Sequence, residues 1–267
     1  VVAQFETPVR EYASKTLISV PPEAPLDEVA ALLEDRDISA VPVVDASGSL
    51  VGVLSTTDLL RLARVEISSP RGRAKVAASA QRVSDVMKTA VVSVDEGAPI
   101  RDAAAAMVSH RIHRVVVTRK GKAVGVVSAR DAMRAVLFHH VEAPIEKVMT
   151  TPVETIDLGE PIEVAVGRLA DANVRGLVVV DDGWPVGVFT HGEALRCRAL
   201  PEALLRTPLE EVMSYEMFCL DVKTPLYRAA GHAIQMRVRR ILAVSNRKLC
   251  GIVTGFDLVR VMTRDDL

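Results

Sequence analysis

The apolar positions of this chain repeat on two scales. Locally they follow helical or strand spacing, and the same succession of spacings returns four times along the chain. Leu26, Val29, Ala30 and Leu33 recur as on one face of an amphipathic helix, as do Ile100, Ala103, Ala104 and Met107, and Ile162, Ala165, Val166 and Leu169. A proline precedes each stripe (Pro25, Pro99, Pro161, Pro225), which suits a first helical turn where an N–H is not needed. Short apolar runs follow at Val41–Val44, Val115–Val117, Leu177–Val180 and Ile241–Val244 and predict strands. Turns come next, at Gly48, Gly121, Gly183 and Asn246-Arg247, and then a second strand and a second helix. Opening strands are expected at Leu17–Val20, Val91–Val94, Val153–Ile156 and Phe218–Asp221. The predicted unit is strand, helix, strand, strand, helix, an α/β (α+β) repeat.

Two landmarks keep step through all four copies. The second strand runs into GVLSTTD (Gly52 to Asp58), GVVSARD (Gly125 to Asp131), GVFTHGE (Gly187 to Glu193) and GIVTGFD (Gly251 to Asp257). From the helix-start proline to the final carboxylate is 33, 32, 32 and 32 residues. The extra residue of the first copy falls in its loop at 45–49. Three copies are preceded by short helical lead-ins ending in Met, at Val83 to Met87, Ile145 to Met149 and Leu209 to Met213; the first has Val9 to Tyr12 and lacks the Met. Residues 63–81 interrupt copies one and two and predict a basic linker loop (SSPRGR, 68–73) followed by a helical turn.

The recurring motif admits two readings. In one, Ser or Thr caps a helix and the carboxylate three residues on returns the bond, a capping box worth about 1 kcal/mol, with glycine permitting a tight strand-to-helix approach. In the other, the free N–H groups of the helix start seat a phosphate, and the carboxylate accepts ribose hydroxyls, as acidic residues do in other nucleotide folds. Recurrence within a larger repeat favours the second.

Composition narrows the field. With 49% apolar and 25% charged residues among 267, the chain can bury a substantial core. Its net charge of −1 gives no long-range field for nucleic acid, and 3% aromatics leave few stacking platforms. Cys197, Cys219 and Cys250 are odd in number and form no CxxC pair, so neither a disulfide framework nor a zinc site is expected. No apolar run is long enough to span a membrane, and Glu6, Arg10, Glu11 and Lys15 do not fit a signal peptide; a cytoplasmic location is expected. His110 with His113, and His139 with His140, lack the partners that a metal needs. Trp184 sits in a turn and reads as a packing or contact residue.

The repeat order, the Val-Met ends of the lead-ins and the Gly-x-x-Ser-x-x-Asp endings resemble the CBS repeat family, over about Val9 to Thr263. The resemblance implies repeats at 1–66, 82–138, 143–199 and 206–267, paired as Bateman modules over 1–138 and 139–267. It also implies clefts that take AMP, ADP, ATP or S-adenosylmethionine. The IHRV segment (Ile112 to Val115) is similar to the strand start of the AMP-activated kinase gamma subunit, where both basic residues reach phosphate. By this resemblance Ser55 and Asp58 would hold ribose and phosphate, with Thr56 and Thr57 also in the nucleotide site, His113, Arg114 and Arg130 would hold phosphate, and the backbone near Val91 would approach the base. The twin site would use Ser128 and Asp131, with only Ser39 and Ala40 at the basic slot. In the second module Thr254 and Asp257 would face Arg175, and Thr190 and Glu193 would face Arg239 and Arg240. Glu193 is one methylene longer than the family Asp, which counts against ribose there.

Three functions compete. The first is a non-catalytic regulatory module sensing an adenine nucleotide, expected as a homodimer acting on a separate regulated protein, with no catalytic cofactor. The second is a structural adaptor whose motifs are only caps. The third, an enzyme, lacks an activated nucleophile, a metal cluster or a Walker-type loop.

Overall fold

The computed structural model describes residues 5–36, 38, 40–56, 58–59, 81–171, 174, 176–190, 193–194, 197 and 201–264. Ser39, Thr57, Arg175 and the basic loop 68–73 lie outside the described residues. The chain divides into two compact units, Glu6–Ser128 and Ala129–Leu267 with Val1–Phe5.

Each repeat is organised around an antiparallel hairpin. Ala40–Val44 pairs with Leu50–Ser55, Arg114–Arg119 with Lys122–Ser128, Gly176–Asp181 with Trp184–Thr190, and Arg240–Ser245 with Lys248–Thr254. The first strand of each hairpin buries three successive residues, so it is covered on both faces, which explains why it reads as a continuous apolar run. Three hairpins turn on two residues of positive φ (Lys120-Gly121, Asp182-Gly183, Asn246-Arg247), the mirror turn that matches strand twist. In three repeats a short opening strand (Ser93–Asp95, Thr155–Asp157 or Cys219–Asp221) lies parallel to the buried strand. The helices Ile100–His110, Ile162–Asp171 and Leu226–Gln235 make the crossovers that parallel pairing requires.

The first repeat departs from its expected form. Its opening segment contributes only a single bridge, Val20 to Val43, in place of a strand over Leu17–Val20. In the other repeats Val116, Val178 and Leu242 donate an N–H to the opening segment. The equivalent residue here is Pro42, which has no N–H to give.

The buried strand meets a bulge at one place in every hairpin, between Val43 and Val44, Val117 and Thr118, Val179 and Val180, and Ala243 and Val244. The residue opposite, just beyond the bulge, is the motif glycine: Gly52, Gly125, Gly187 or Gly251. These glycines do not serve an approach to their own helix. A Cβ on Gly52 would come 2.5 Å from the sulfur of Met87, on Gly187 2.6 Å from Met213, and on Gly251 2.5 Å from Met149. Each methionine ends the lead-in of the partner repeat. Gly125 instead faces Ala13 and Ser14, with a nearest approach of 3.0 Å, where the lead-in lacks its Met.

The lead-ins are therefore exchanged. Ser14 N–H donates to Val126 and Val53 N–H to Lys88, tying repeats one and two reciprocally. Thr150 pairs with Ile252 and Val188 with Ser214, tying repeats three and four. At the other end of each lead-in, a carbonyl accepts from the first N–H of the partner's helix: Gln81 from Leu26, Thr7 from Ile100, Thr207 from Ile162 and Ala143 from Leu226. A helix leaves its first N–H groups without internal partners, and the neighbouring repeat supplies one. Val9, Val83, Ile145 and Leu209, which open the lead-ins, are wholly buried. In the core of the first repeat Val83 packs with Leu26, Leu33, Val41 and Leu54. In that of the third Leu209 and Met213 pack with Ile162, Leu177 and Phe189.

Helix Asp131–Phe138 belongs to the second unit, where it packs against Leu226–Gln235 and Gly255–Val261. The carbonyl oxygen of Ala129 would lie 2.4 Å from a Cβ on Gly255, so only glycine fits at the start of the last helix.

Candidate functional site

The motif carboxylates begin as caps. Backbone N–H groups of Ser55, Thr190 and Thr254 donate to Asp58, Glu193 and Asp257 at 3.1, 2.9 and 2.8 Å, and the hydroxyls of the same residues donate to the same oxygens. Thr254 and Asp257 complete a full capping box. All three carboxylates are buried, which without these bonds would be costly. In the second repeat the helix starts later, at Asp131, whose carboxylate lies 3.7 Å from Arg134 one turn on.

One carboxylate oxygen of Asp58 and of Asp257 is used by the cap, and the other faces the exchanged lead-in. Oδ1 of Asp58 pairs with Nζ of Lys88 at 2.9 Å. Oδ1 of Asp257 accepts from the Thr150 hydroxyl at 2.8 Å, and Nη1 of Arg260 stands 3.4 Å away. Lys88 and Thr150 occupy one structural position, directly after the crossing methionine. Burial pushes the Asp58 carboxyl up, but bonds from Ser55 and Lys88 and the ammonium charge outweigh it, so its pKa lies below the usual carboxylate value.

Beside Asp257 lies a cavity of about 370 Å³. One wall is the repeat-three lead-in, including Lys147, Thr150 and Thr151; the other is the last helix with Asp257 and Arg260, and Arg264 just past its end. The volume falls at the lower end of small-molecule sites, which run from about 300 to 1,000 Å³.

The expected basic residues fall at strand starts. In the hairpin register Arg114 is opposite Ser128, Arg240 opposite Thr254, Gly176 opposite Thr190 and Ala40 opposite Ser55. Each strand start thus sits beside the hydroxyl residue of its own repeat. His113 and Arg114 are half-buried, Arg130 and Arg239 exposed. The backbone at Arg130 lies near Gly255 of the fourth motif. The Val91 N–H donates to Thr89. Reasoning from sequence missed Lys88, Lys147, Thr150, Arg260 and Arg264. The signal for the first and third was their place after the lead-in methionine. Among the described residues, no three His, Cys, Asp or Glu side chains converge as a metal site, and no helix is long and apolar enough to cross a membrane.

A hairpin with a parallel third strand, repeated in reciprocal pairs that exchange lead-ins over a glycine, defines a tandem α/β repeat protein. The CBS domain family matches residues 9–64, 83–138, 145–199 and 209–264, and the chain belongs to that family. Protein MJ1404 of Methanocaldococcus jannaschii is 25% identical over 272 residues; the match covers 95% of this chain but only 61% of that protein's length. The crystal structure of MJ1225 from the same organism, offered as an archaeal homolog of g-AMPK, superposes with a TM-score of 0.75 at 18% identity, covering 96% of this chain and 99% of that one. A conserved protein from Pyrococcus horikoshii superposes with a TM-score of 0.70 at 20% identity, covering 96% and 100%. At these identities the structures establish a shared four-repeat fold.

Proposed function

We propose that the chain is a regulatory module that senses an adenine nucleotide and catalyses nothing itself. The observation that carries this is the Asp257 site, a buried carboxylate with one oxygen fixed by its cap and the other at the edge of a cavity. In this reading ribose hydroxyls bond Oδ1 of Asp257, exchanging with the Thr150 hydroxyl, and Thr254 holds the carboxylate in place. Ligand bound there touches both the repeat-three lead-in and the repeat-four helix. It favours whichever arrangement of the two repeats it fits better, as differential affinity requires. Ser128 and Asp131, beside the strand start at Arg114, would form a second site in the first module. Glu193 with Arg239 and Arg240 would form a lesser one.

A structural reading is favoured at one motif. Both oxygens of Asp58 are engaged within the protein, by Ser55 and by Lys88, so that pair stabilises the first module with or without a ligand.

Thermal unfolding with AMP, ADP, ATP and S-adenosylmethionine tests the proposal. A ligand at about 100 times its dissociation constant adds roughly 2.7 kcal/mol. We expect a shift that Asp257→Ala abolishes and Asp58→Ala retains. Four ligands without effect would establish the adaptor instead.

A further inference from the structure

We infer that charge contacts of opposite polarity select which repeats join: a cation on the first lead-in meets acidic residues of repeat two, and a carboxylate on the third lead-in meets a cation of repeat four. The inference concerns how the repeats find their partners and stands apart from any ligand.

The backbone of the crossing cannot make this choice. Val9, Val83, Ile145 and Leu209 each donate an N–H to the residue before the partner's helix-start proline, at Ala98, Ala24, Thr224 and Glu160. These bonds are alike in all four places, and the four donors are all buried apolar residues. The position that follows differs from one lead-in to the next: Arg10, Ser84, Glu146 and Glu210. In three lead-ins its N–H donates to the partner's loop two residues further back, Arg10 to Glu96, Ser84 to Pro22 and Glu146 to Val222, so its side chain leaves the backbone beside that loop.

In the second pair of repeats Nζ of Lys223 donates to Oε1 of Glu146 at 2.7 Å. In the first pair the polarity is reversed. A Cβ on Gly97 would lie 3.9 Å from Nη1 of Arg10 and 3.3 Å from Oδ1 of Asp95, so the guanidinium stands at the acidic loop. Arg119 grips both oxygens of Glu96 at 2.5 and 2.6 Å, which leaves Asp95 as a second carboxylate there. Glu96 lies below the usual carboxylate pKa, first through its bond from Arg119 and, against a small effect of burial, through the charges of Arg119 and Arg10.

A wrong junction would meet like charge. The first lead-in on repeat four would set Arg10 against Lys223, and the third on repeat two would set Glu146 against Asp95 and Glu96. Each error loses an attraction and gains a repulsion, which is how a choice between similar partners is made. One exposed pair is weak alone, but both contacts act on the ratio of right to wrong junctions. Misassembly of neighbouring units is a characteristic failure of repeat chains.

Refolding of the full chain from urea tests the inference. Glu146→Lys/Lys223→Glu gives both pairs of repeats the same polarity. Every correct contact stays attractive, and the wrong ones become attractive too. In urea unfolding this double variant should match the native chain, while Glu146→Lys and Lys223→Glu alone should each unfold earlier. After refolding, the share of the double variant that fails to regain the native melting transition should rise about fivefold over the native chain. Carbodiimide coupling and peptide mass spectrometry of that share should find position 146 joined to Asp95 or Glu96. Inverting the first pair as well, by adding Arg10→Glu/Glu96→Arg/Arg119→Glu, should restore recovery. Single variants as stable as the native chain, or a double variant no more stable than the singles, would remove the charge contact. A double variant that refolds as faithfully as the native chain, a lost share without those links, or a loss that the further inversion leaves unchanged would overturn the selection.

Discussion

Asp58 and Asp257 end equivalent motifs and face equivalent lead-ins, yet a different lead-in residue answers each. Lys88 answers Asp58 with a full charge; Thr150 answers Asp257 with a hydroxyl. A salt bridge stabilises the carboxylate and occupies it. Asp257 also forms an ion pair with Arg260, at 3.4 Å longer than the 2.9 Å between Asp58 and Lys88. The lesson is that the motif fixes where the carboxylate stands, while the residue after the crossing methionine sets what its second oxygen meets.

The largest expected effect tests the crossing on which both sites depend. Gly251→Val would place side-chain atoms on the Sδ, Cγ and Cβ of Met149, an overpacking that should cost about 3 kcal/mol or more. Met149→Ala in the same chain should recover part of it. Urea unfolding of the two single variants and the double variant measures the coupling, and simple additivity would count against a contact between them.

Exchanging the lead-in residues sharpens the comparison directly. Thr150→Lys should bring a cation to Asp257 and weaken nucleotide binding there by about tenfold, roughly 1.4 kcal/mol, as read by calorimetry. Lys88→Thr should leave Asp58 with the weaker partner, lowering stability by about 1 kcal/mol, a modest figure because Lys88 is more than half exposed. Thr150→Val removes a single hydroxyl bond, leaves the Arg260 bond to the same oxygen, and should cost about 1 kcal/mol or less in urea.

The smallest effect is in pH. The pKa of Asp58 is depressed in the folded chain, so its contribution is complete above the ordinary carboxylate value. It is lost as pH falls through the folded value, because the unfolded chain then binds the proton more readily. The stability gap between the native chain and Lys88→Met should therefore be level near neutral pH and close below about pH 4. A gap that persisted unchanged into acid would mean that Lys88 acts through packing rather than charge.

Much of the fold was legible because the period of apolar residues maps directly onto helix and strand. The stripes beginning at Leu26, Ile100 and Ile162 became helices, and the apolar runs became the buried strands. The opening strand of repeat one was misread because Pro42 lies in the neighbouring strand, and its effect is felt across the sheet rather than along the chain. The caps were legible as a three-residue spacing. What covers the motif glycine was not, since spacing within one repeat cannot say which neighbour lays a methionine over it. For the same reason Lys88 and Thr150 escaped notice; they are 30 and 107 residues from the carboxylates they meet.

The traded lead-ins set the smallest portable piece of this protein. A lone repeat cut from the chain has nothing to lay across its bulge and nothing to accept from the first N–H of its helix. Chimeras that graft repeats in twos should carry their own closure with them, while grafts of one or three would leave an open groove seeking a stranger's segment. Counting in pairs is thus imposed on any rearrangement of such chains by a handful of hydrogen bonds and one sulfur atom.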